Sequence, residues 1–165
     1  MQYLASDGRI ALRAFVQEDM AEWTACWQDE TTQRGFNFVP PPDGGWLAAQ
    51  DIARFPFWVA VVELSTGRTL GSLRLSPDPE HPDLAIWIYP QHRGGGWGGK
   101  AFSLALQTLA ELGYRTIHAG CFPFNMPSRR ILERCGFRRW PEGDEAETSV
   151  FDGAPLTMEG YRRDG

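Results

Sequence analysis

The sequence is poor in cysteine and in long apolar runs. Its three cysteines, Cys26, Cys121 and Cys135, form no CxxC pair, which argues against a zinc site and against a disulfide-rich secreted fold. No apolar run approaches the length of a membrane helix, and the first residues carry no signal peptide. We therefore expect a cytoplasmic protein with reduced thiols, no metal and no membrane contact.

Positive charge is also scarce. The chain holds 16 Lys and Arg against 21 Asp and Glu, which gives a formal net charge of -5. Broad binding to nucleic acid needs an excess of Lys and Arg to replace counterions, so we expect no nucleic-acid partner. The acidic balance is compatible with a cationic small molecule or a basic peptide end as partner.

The composition is typical of a folded domain. Hydrophobic residues make up 42% of the 165 residues and charged residues 22%, which argues against a disordered chain. Internal repeats are lacking, and the linker-like stretch VPPPDGG (39–45) lies too near the N-terminus to divide two domains. We expect residues 1–165 to form a single domain.

Hydrophobic periodicity predicts a mixed order of strands and helices. Strands are predicted at 9–15, 57–64, 69–76, 84–89 and 115–122, helices at 18–28, 48–55, 98–112 and 125–134, and a closing hairpin at 147–162. Antiparallel strands come first and a strand–helix–strand crossover follows. This order predicts a mixed α/β sheet and not a strictly alternating doubly wound one.

A glycine-rich stretch, RGGGWGGKA (93–101), separates the 84–89 strand from the longest predicted helix. It nearly satisfies a nucleotide P-loop, the G-x-G-x-x-G fingerprint of dinucleotide-binding proteins, and the R-x-x-G-x-G pyrophosphate loop of acetyl-CoA enzymes. The P-loop needs Ser or Thr where Ala101 stands. The dinucleotide fingerprint needs an acid at the end of the next strand, and GCFPF (120–124) has none.

The third motif has suitable surroundings. Glycines let backbone amides approach a pyrophosphate closely, and the N-terminus of the following helix adds partial positive charge. A flexible surface turn is the plain alternative for the same letters.

A second motif lies about 30 residues downstream of this loop. NMPSRRILERCGF (125–137) resembles the N-x-x-S/A-x-x-x-L/Y-x-x-x-G-F signature of GCN5-related N-acetyltransferases (GNAT). The two motifs at this spacing are specific for that superfamily. The chain from about Arg9 to Tyr161 resembles it, and is most similar to the branch of ribosomal-protein N-terminal acetyltransferases.

The resemblance implies an α/β (α+β) fold: a mixed, mostly antiparallel GNAT-type sheet with a splayed parallel strand pair and helices on both faces. Acetyl-CoA would lie between the 84–89 and 115–122 strands and donate its acetyl group, by direct attack and without metal, to a primary amine. The acceptor would be a protein N-terminus or a small molecule such as an amino acid, polyamine or aminoglycoside. A homodimer is a further expectation. A non-catalytic acyl-CoA-binding or sensor module of the same fold is the alternative.

The resemblance also assigns residues to the cofactor. Backbone groups near Trp87 and Ile88 would hold the pantetheine arm and the thioester carbonyl. The other expected contacts are Arg93, Gly94, Gly95, Gly96, Trp97, Gly98, Gly99 and Asn125. Arg93 has an acidic surface neighbour as its alternative partner, and Asn125 is equally suited to a helix N-cap.

Asp83 is the residue that the resemblance implies as general base. The family often carries Glu at this position, at the start of the strand before the phosphate loop. Because Asp is one carbon shorter, a bridging water would transfer the proton. The structural alternative is a turn residue after Pro82, and His81 and His118 are weaker candidates for the base.

Ser128 is the expected proton donor to the leaving thiolate. Many relatives carry Tyr where Leu132 stands, so the usual donor is missing here. A hydroxyl in the first turn of a helix can donate to the sulfur, or simply bond the backbone. Tyr89 and Tyr114 are alternatives.

The acceptor pocket is expected from residues 29–47 and the closing hairpin. Its aromatic wall, or alternatively part of the core, would comprise Trp27, Phe36, Phe38 and Trp46. Three acids in this segment are candidates for attracting a cation or for simple solvent exposure: Asp29, Glu30 and Asp43.

Overall fold

A computed structural model describes residues 2–165 as two sheets that touch at one edge. The first sheet has five antiparallel strands in sequence order: β1 (Ala5–Ser6), β2 (Ile10–Ala14), β3 (Phe57–Glu63), β4 (Thr69–Leu75) and β5 (Leu84–Ile88). The second contains β6 (Thr116–Cys121), β7 (Arg138–Arg139), β8 (Glu145–Thr148) and β9 (Pro155–Asp164), with β9 paired to the other three.

Five α-helices cover the first sheet and the junction. They are α1 (Met20–Cys26), α2 (Glu30–Phe36), α3 (Gly45–Ala48), α4 (Trp97–Glu111) and α5 (Met126–Arg134). Two hydrophobic cores result, one on each face of the sheet. Aliphatic side chains of β2, β3 and β4 pack against α4 on one face, whereas aromatic side chains of β3 and β5 pack against α1 on the other. Burial on both faces explains why β3 is almost wholly apolar.

The two sheets meet where β5 and β6 begin to run side by side. Asp83 and His118 form an isolated parallel bridge, and the His118 amide donates to the Pro82 carbonyl at 2.8 Å. Beyond this point β5 remains paired with β4 and β6 with β9, so the strands diverge and leave a gap. The expected splayed parallel pair within a mostly antiparallel sheet is confirmed.

Most predicted elements are confirmed to within two residues at each end, but the segment before β3 differs. The predicted helix at 48–55 is wrong: α3 ends at Ala48, and Asp51 is extended while its side chain accepts from the Ala53 amide. α2 was not predicted, because its sequence ETTQRGF contains one large apolar residue and no helical stripe.

No helix within residues 2–165 combines the length and the apolar character needed to cross a bilayer.

Candidate active site

A cleft of about 660 Å³ opens where β5 and β6 diverge. The glycine loop and α5 form one end, and α2 and the β8–β9 hairpin form the other. Ten of the twelve predicted site residues line it: Asp83, Trp87, Ile88, Arg93, Gly94, Gly96, Trp97, Gly98, Asn125 and Ser128. Gly95 and Gly99 are not part of its wall. Gly95 lies against the Trp97 indole, where an added Cβ would come within 2.7 Å of the ring nitrogen.

The edge of β5 offers free backbone groups to the cleft. The Tyr89 amide bonds the Leu70 carbonyl, and the Asp83 carbonyl accepts from Ser76, both toward β4. In an antiparallel ladder alternate residues face the same neighbour, so Trp87 also bonds β4. The amides and carbonyls of Ile86 and Ile88 therefore point into the gap. The indole of Trp87 is buried in the aromatic core and stacks on Phe36 at 5.1 Å.

The glycine loop leads directly into the N-terminus of α4. Gly94 and Gly96 have φ of 84° and 77°, a left-handed conformation that favours glycine. Gly96 is the N-cap and has no side chain, so the first amides of α4 receive no side-chain cap. Gly98 packs closely on α5, where an added Cβ would come within 3.0 Å of the Ile131 Cδ1 atom. The loop is therefore an exposed row of amide donors at a helix N-terminus.

Arg93 is paired within the protein. Its guanidinium lies 2.8 Å from an Asp29 carboxylate oxygen and donates to the Thr32 hydroxyl at 2.9 Å. Asp29 is also the N-cap of α2, and these bonds, led by that from Arg93, hold its pKa below the ordinary value. The acidic neighbour considered from the sequence is thus observed, and Arg93 ties α2 to the glycine loop.

Asn125 and Ser128 stand together at the start of α5. The Asn125 Oδ1 atom accepts from the Ser128 amide at 3.4 Å, the expected N-cap. The Asn125 Nδ2 atom and the Ser128 hydroxyl have no hydrogen-bond partner among residues 2–165, and both residues line the cleft. Two polar groups are therefore available to a ligand there.

Asp83 places a carboxyl group at the closed end of the gap. Burial, followed by the nearby Glu145 carboxylate, raises the pKa of Asp83 to about 7. Its amide bonds the Ser76 hydroxyl at 2.9 Å, which fixes the residue where β5 begins. A carboxyl with a pKa near neutrality can accept or hold a proton at physiological pH.

The tyrosine alternatives lie elsewhere. Tyr89 is 1% exposed within the aromatic core, where burial raises its pKa, and Tyr114 packs beside the aliphatic core. Neither lines the cleft, whereas Leu132 does, with an aliphatic side chain. Of the three hydroxyl groups that the sequence offered as proton donors, only that of Ser128 belongs to a residue that lines the cleft.

The end of the cleft formed by α2 and the β8–β9 hairpin, where the acceptor is expected, is only partly aromatic. Trp27 is buried in the core, and Phe38 and Trp46 pack around it; of the four predicted aromatic residues only Phe36 lines the cleft. Glu30 pairs with Arg34 on the exposed side of α2.

Two acids of the β8–β9 hairpin were missed by sequence reasoning. Glu145 and Glu147 are two residues apart on β8, and both line the cleft. Asn37, left-handed at φ 51°, donates to the Glu147 carboxylate at 3.0 Å and accepts from the Val150 amide at 2.9 Å, so it joins α2 to the hairpin. The period-2 spacing of the acids was the only available signal.

Metal-binding clusters are lacking in the part of the chain that the structure describes: no three His, Cys, Asp or Glu side chains lie together in a suitable arrangement.

A family model for the acetyltransferase (GNAT) domain matches residues 9–138. An uncharacterized protein of Methanocaldococcus jannaschii is 24% identical over 153 residues, which cover 87% of this chain and 31% of that protein. The chain therefore spans about a third of the length of this relative.

Several solved structures share the fold. Spermidine N-acetyltransferase from Vibrio cholerae, in complex with CoA and spermine, superposes with a TM-score of 0.81 at 16% identity, over 96% of each chain. A GNAT-family acetyltransferase from Bacillus anthracis gives 0.78 at 18% identity over 99% of this chain and 98% of its own. An acetyltransferase from Agrobacterium tumefaciens gives a TM-score of 0.74 at 20% identity, over 100% of this chain and 95% of its own.

Proposed function

Because the chain belongs to the GNAT acetyltransferase family, we propose that it transfers an acetyl group from acetyl-CoA to a primary amine of a small cationic molecule. The observation that carries the proposal is a single cleft with free amides at one end and a half-buried carboxyl at the other. Such an arrangement suits a long anionic donor and an amine that must lose protons.

The donor would be held mainly by backbone. The free groups of Ile86 and Ile88 are suited to the amides of the pantetheine arm, which would extend the sheet in the manner of an added strand. The pyrophosphate would accept from amides of residues 94–99 at the N-terminus of α4. Asn125 Nδ2 is available to the donor or to the incoming amine. Arg93 would act indirectly, by fixing the loop against α2.

The reaction requires a neutral amine. Its nitrogen attacks the thioester carbonyl carbon, the C–N bond forms and the C–S bond breaks. The new amide gives up one proton, and the thiolate takes one up to become the CoA thiol. Asp83 accepts a proton from the amine through a water molecule, and the Ser128 hydroxyl donates to the sulfur as charge develops.

The charge of the acceptor end supports a cationic substrate. Asp83, Glu145 and Glu147 line this end, and no Lys or Arg side chain within residues 2–165 forms an ion pair with any of them. A molecule with a second positive charge would be attracted there while its terminal amine reaches Asp83. The Vibrio cholerae neighbour, whose structure holds spermine, is consistent with this class. A protein N-terminus is the other acceptor that the sequence resemblance leaves open.

The direct test has two stages. Calorimetric titration with acetyl-CoA, with ATP–Mg²⁺ and NAD as controls, tests donor binding. Release of the CoA thiol is then measured with a polyamine, an aminoglycoside, a monoamine of similar length and a peptide with a free N-terminus. Acetyl-CoA binding with turnover of the polycations above the monoamine supports the proposal, and turnover of the peptide alone would overturn the acceptor class.

The second candidate is an acyl-CoA-binding module that does not transfer. It is favoured by one observation, the aliphatic Leu132 in the cleft wall where many relatives carry a hydroxyl. Tight binding of acetyl-CoA without thiol release for any amine would support this candidate over the acetyltransferase.

A further inference from the structure

A small second cavity adjoins the cleft at Asp83. It has a volume of about 30 Å³, which is room for about two water molecules. Asp83 and Glu145 line both spaces, whereas His81, His118 and Trp140 line only the small one. The carboxyl of Asp83 therefore stands between the cleft and a second polar compartment.

Two residues that line that compartment, His118 and Tyr161, each hold a buried polar atom without a hydrogen-bond partner among the described residues. In His118, which is 6% exposed, that atom is Nδ1. The His118 ring stacks on His81 with centroids 3.8 Å apart and also contacts Trp140 at 4.8 Å. Buried polar atoms are normally hydrogen-bonded, so an open nitrogen beside a polar cavity indicates a water partner.

The backbone brings His118 close to Asp83. The two residues are partners in the single parallel bridge between β5 and β6. Partners in a parallel bridge extend their side chains to the same face of the sheet, so a carboxyl and an imidazole share this end of the gap. His81 is only partly buried and gives the pair access to solvent.

The proposed reaction leaves one proton to be removed. An amine enters as an ammonium ion and must lose two protons, of which the thiolate takes up only one. One proton per turnover must therefore leave the site. When donor and acceptor fill the cleft, the small cavity is the other polar space that Asp83 faces.

We propose that this proton leaves through the small cavity, from Asp83 by way of water to His118. Because the two rings are stacked and their nitrogens point outward in the ring planes, a second water carries the proton from His118 to His81 and on to solvent. Each ring takes up a proton at one nitrogen and releases one from the other, so both return to the neutral form. The inference rests on the proposed acetyltransferase function. It gives His118 and His81 a role in proton removal and not in contact with the substrate.

The surrounding charges are compatible with this role. Burial, and then His81 and Arg162, lower the pKa of His118, while Asp164 acts in the opposite direction. The ring is therefore neutral at neutral pH. It binds a proton more weakly than a free imidazole does, so it passes the proton on and does not retain it. Asp83 faces it from β5 and Glu145 from β8, and both carboxyl groups line the same cavity.

The test compares two variants that differ in whether they leave space for a small base. His118→Ala removes the ring and enlarges the cavity, whereas His118→Phe removes the nitrogens and keeps it filled. We expect both to lower kcat about tenfold in dilute buffer, with the KM for acetyl-CoA unchanged. Added imidazole should restore His118→Ala and leave His118→Phe unchanged. Pyrazole, which has the same shape but is too weak a base, should restore neither.

Three controls keep the test decisive. Cys135→Ser, in the loop after α5, reports the effect of a neutral substitution outside the cavity. His81→Asn replaces the partly exposed ring and should lower kcat less than the His118 variants do. It provides a second measurement if a variant at the buried His118 fails to fold. A rate for His118→Phe within twofold of the wild type, or equal rescue by pyrazole, would overturn the relay. If Glu145→Gln lowered kcat at saturating amine with an unchanged KM for the amine, and His81→Asn did not lower kcat, the proton would leave by the hairpin and the relay would be overturned.

The result also separates the two proposals. A wild-type protein that releases no CoA with any amine would remove the acetyltransferase function and the relay with it. A wild-type protein that turns over while the His118 variants are equally active would remove the relay alone.

Discussion

Replacing Asp83 with Asn should make the protein more stable at alkaline pH while removing its activity. The carboxyl has an ordinary pKa of 3.8 and a pKa of about 7 in the folded chain, because burial and Glu145 disfavour its charge. The folded state therefore binds this proton more tightly than the unfolded state does. Stability from this group is fully present below about pH 4 and is lost as the pH rises through 7.

The size of the effect follows from these two values. A difference of about three pH units at about 1.4 kcal/mol each gives a ceiling of about 4 kcal/mol. Water in the open cleft reduces the penalty for the charged form, so about 2 to 4 kcal/mol is expected above pH 8. Asn has no charge to bury, so the variant gains that amount, or roughly 5–15 °C in melting temperature for a chain of this length.

The assay is thermal melting of the wild type and Asp83→Asn in a series of buffers from pH 5 to pH 9. The difference in melting temperature should be smallest at pH 5, grow toward pH 8 and then level off. Glu142→Gln, an exposed acid near the same hairpin, serves as the control and should show no such trend. In the wild type, kcat/KM should rise over the same range, since the proposed base must be ionised.

Two results would refute this reasoning. A difference that is constant across the pH range would mean that Asp83 does not change its protonation there. A less stable Asp83→Asn at pH 8.5 would mean that the carboxylate is held by a favourable contact that outweighs its burial.

Two further predictions concern the walls of the cleft. Gly96→Ala should lower the free energy of unfolding by about 1 kcal/mol through backbone strain and weaken acetyl-CoA binding in calorimetry. Gly67→Ala, at φ 75° in the β3–β4 turn, should show the same loss of stability with unchanged acetyl-CoA binding. If both variants weakened acetyl-CoA binding equally, a role for the glycine loop would be contradicted. Asn37→Ala should raise the KM for the amine several-fold, because Glu147 loses its hydrogen-bond donor, and should leave the KM for acetyl-CoA unchanged. Asn37→Gly removes the same side chain without strain at the left-handed φ, so it should raise the KM for the amine equally.

The end of the cleft at the glycine loop was predictable because its sequence signals are local. The glycine loop and the Asn125 cap each act through a helix N-terminus that directly follows them in sequence. Periodicity predicted the flanking strands, and the family resemblance indicated backbone groups near Trp87 and Ile88. The backbone groups that face the gap are those of Ile86 and Ile88. That distinction depends on which residues bond β4, and the register is set by partners that the strand sequence does not reveal.

The end of the cleft at the β8–β9 hairpin was less predictable because its contacts join distant segments. The pairing of Arg93 with Asp29, and of Asn37 with the β8–β9 hairpin, spans 64 and about 110 residues. The raised pKa of Asp83 follows first from burial where the two sheets meet and then from Glu145, which lies on the other sheet. α2 contains too few apolar residues for a helical stripe, so its position follows from capping by Asp29 and packing of Phe36.

The division of the cleft between main chain and side chains has a consequence for redesign. Backbone amides of Ile86, Ile88 and the glycine loop present the same donors whatever residues stand nearby. The acceptor end instead depends on replaceable side chains, among them Glu145 and Glu147. If the proposed function holds, a mutant library confined to 145–148 should change the amine that is accepted while binding of acetyl-CoA is retained.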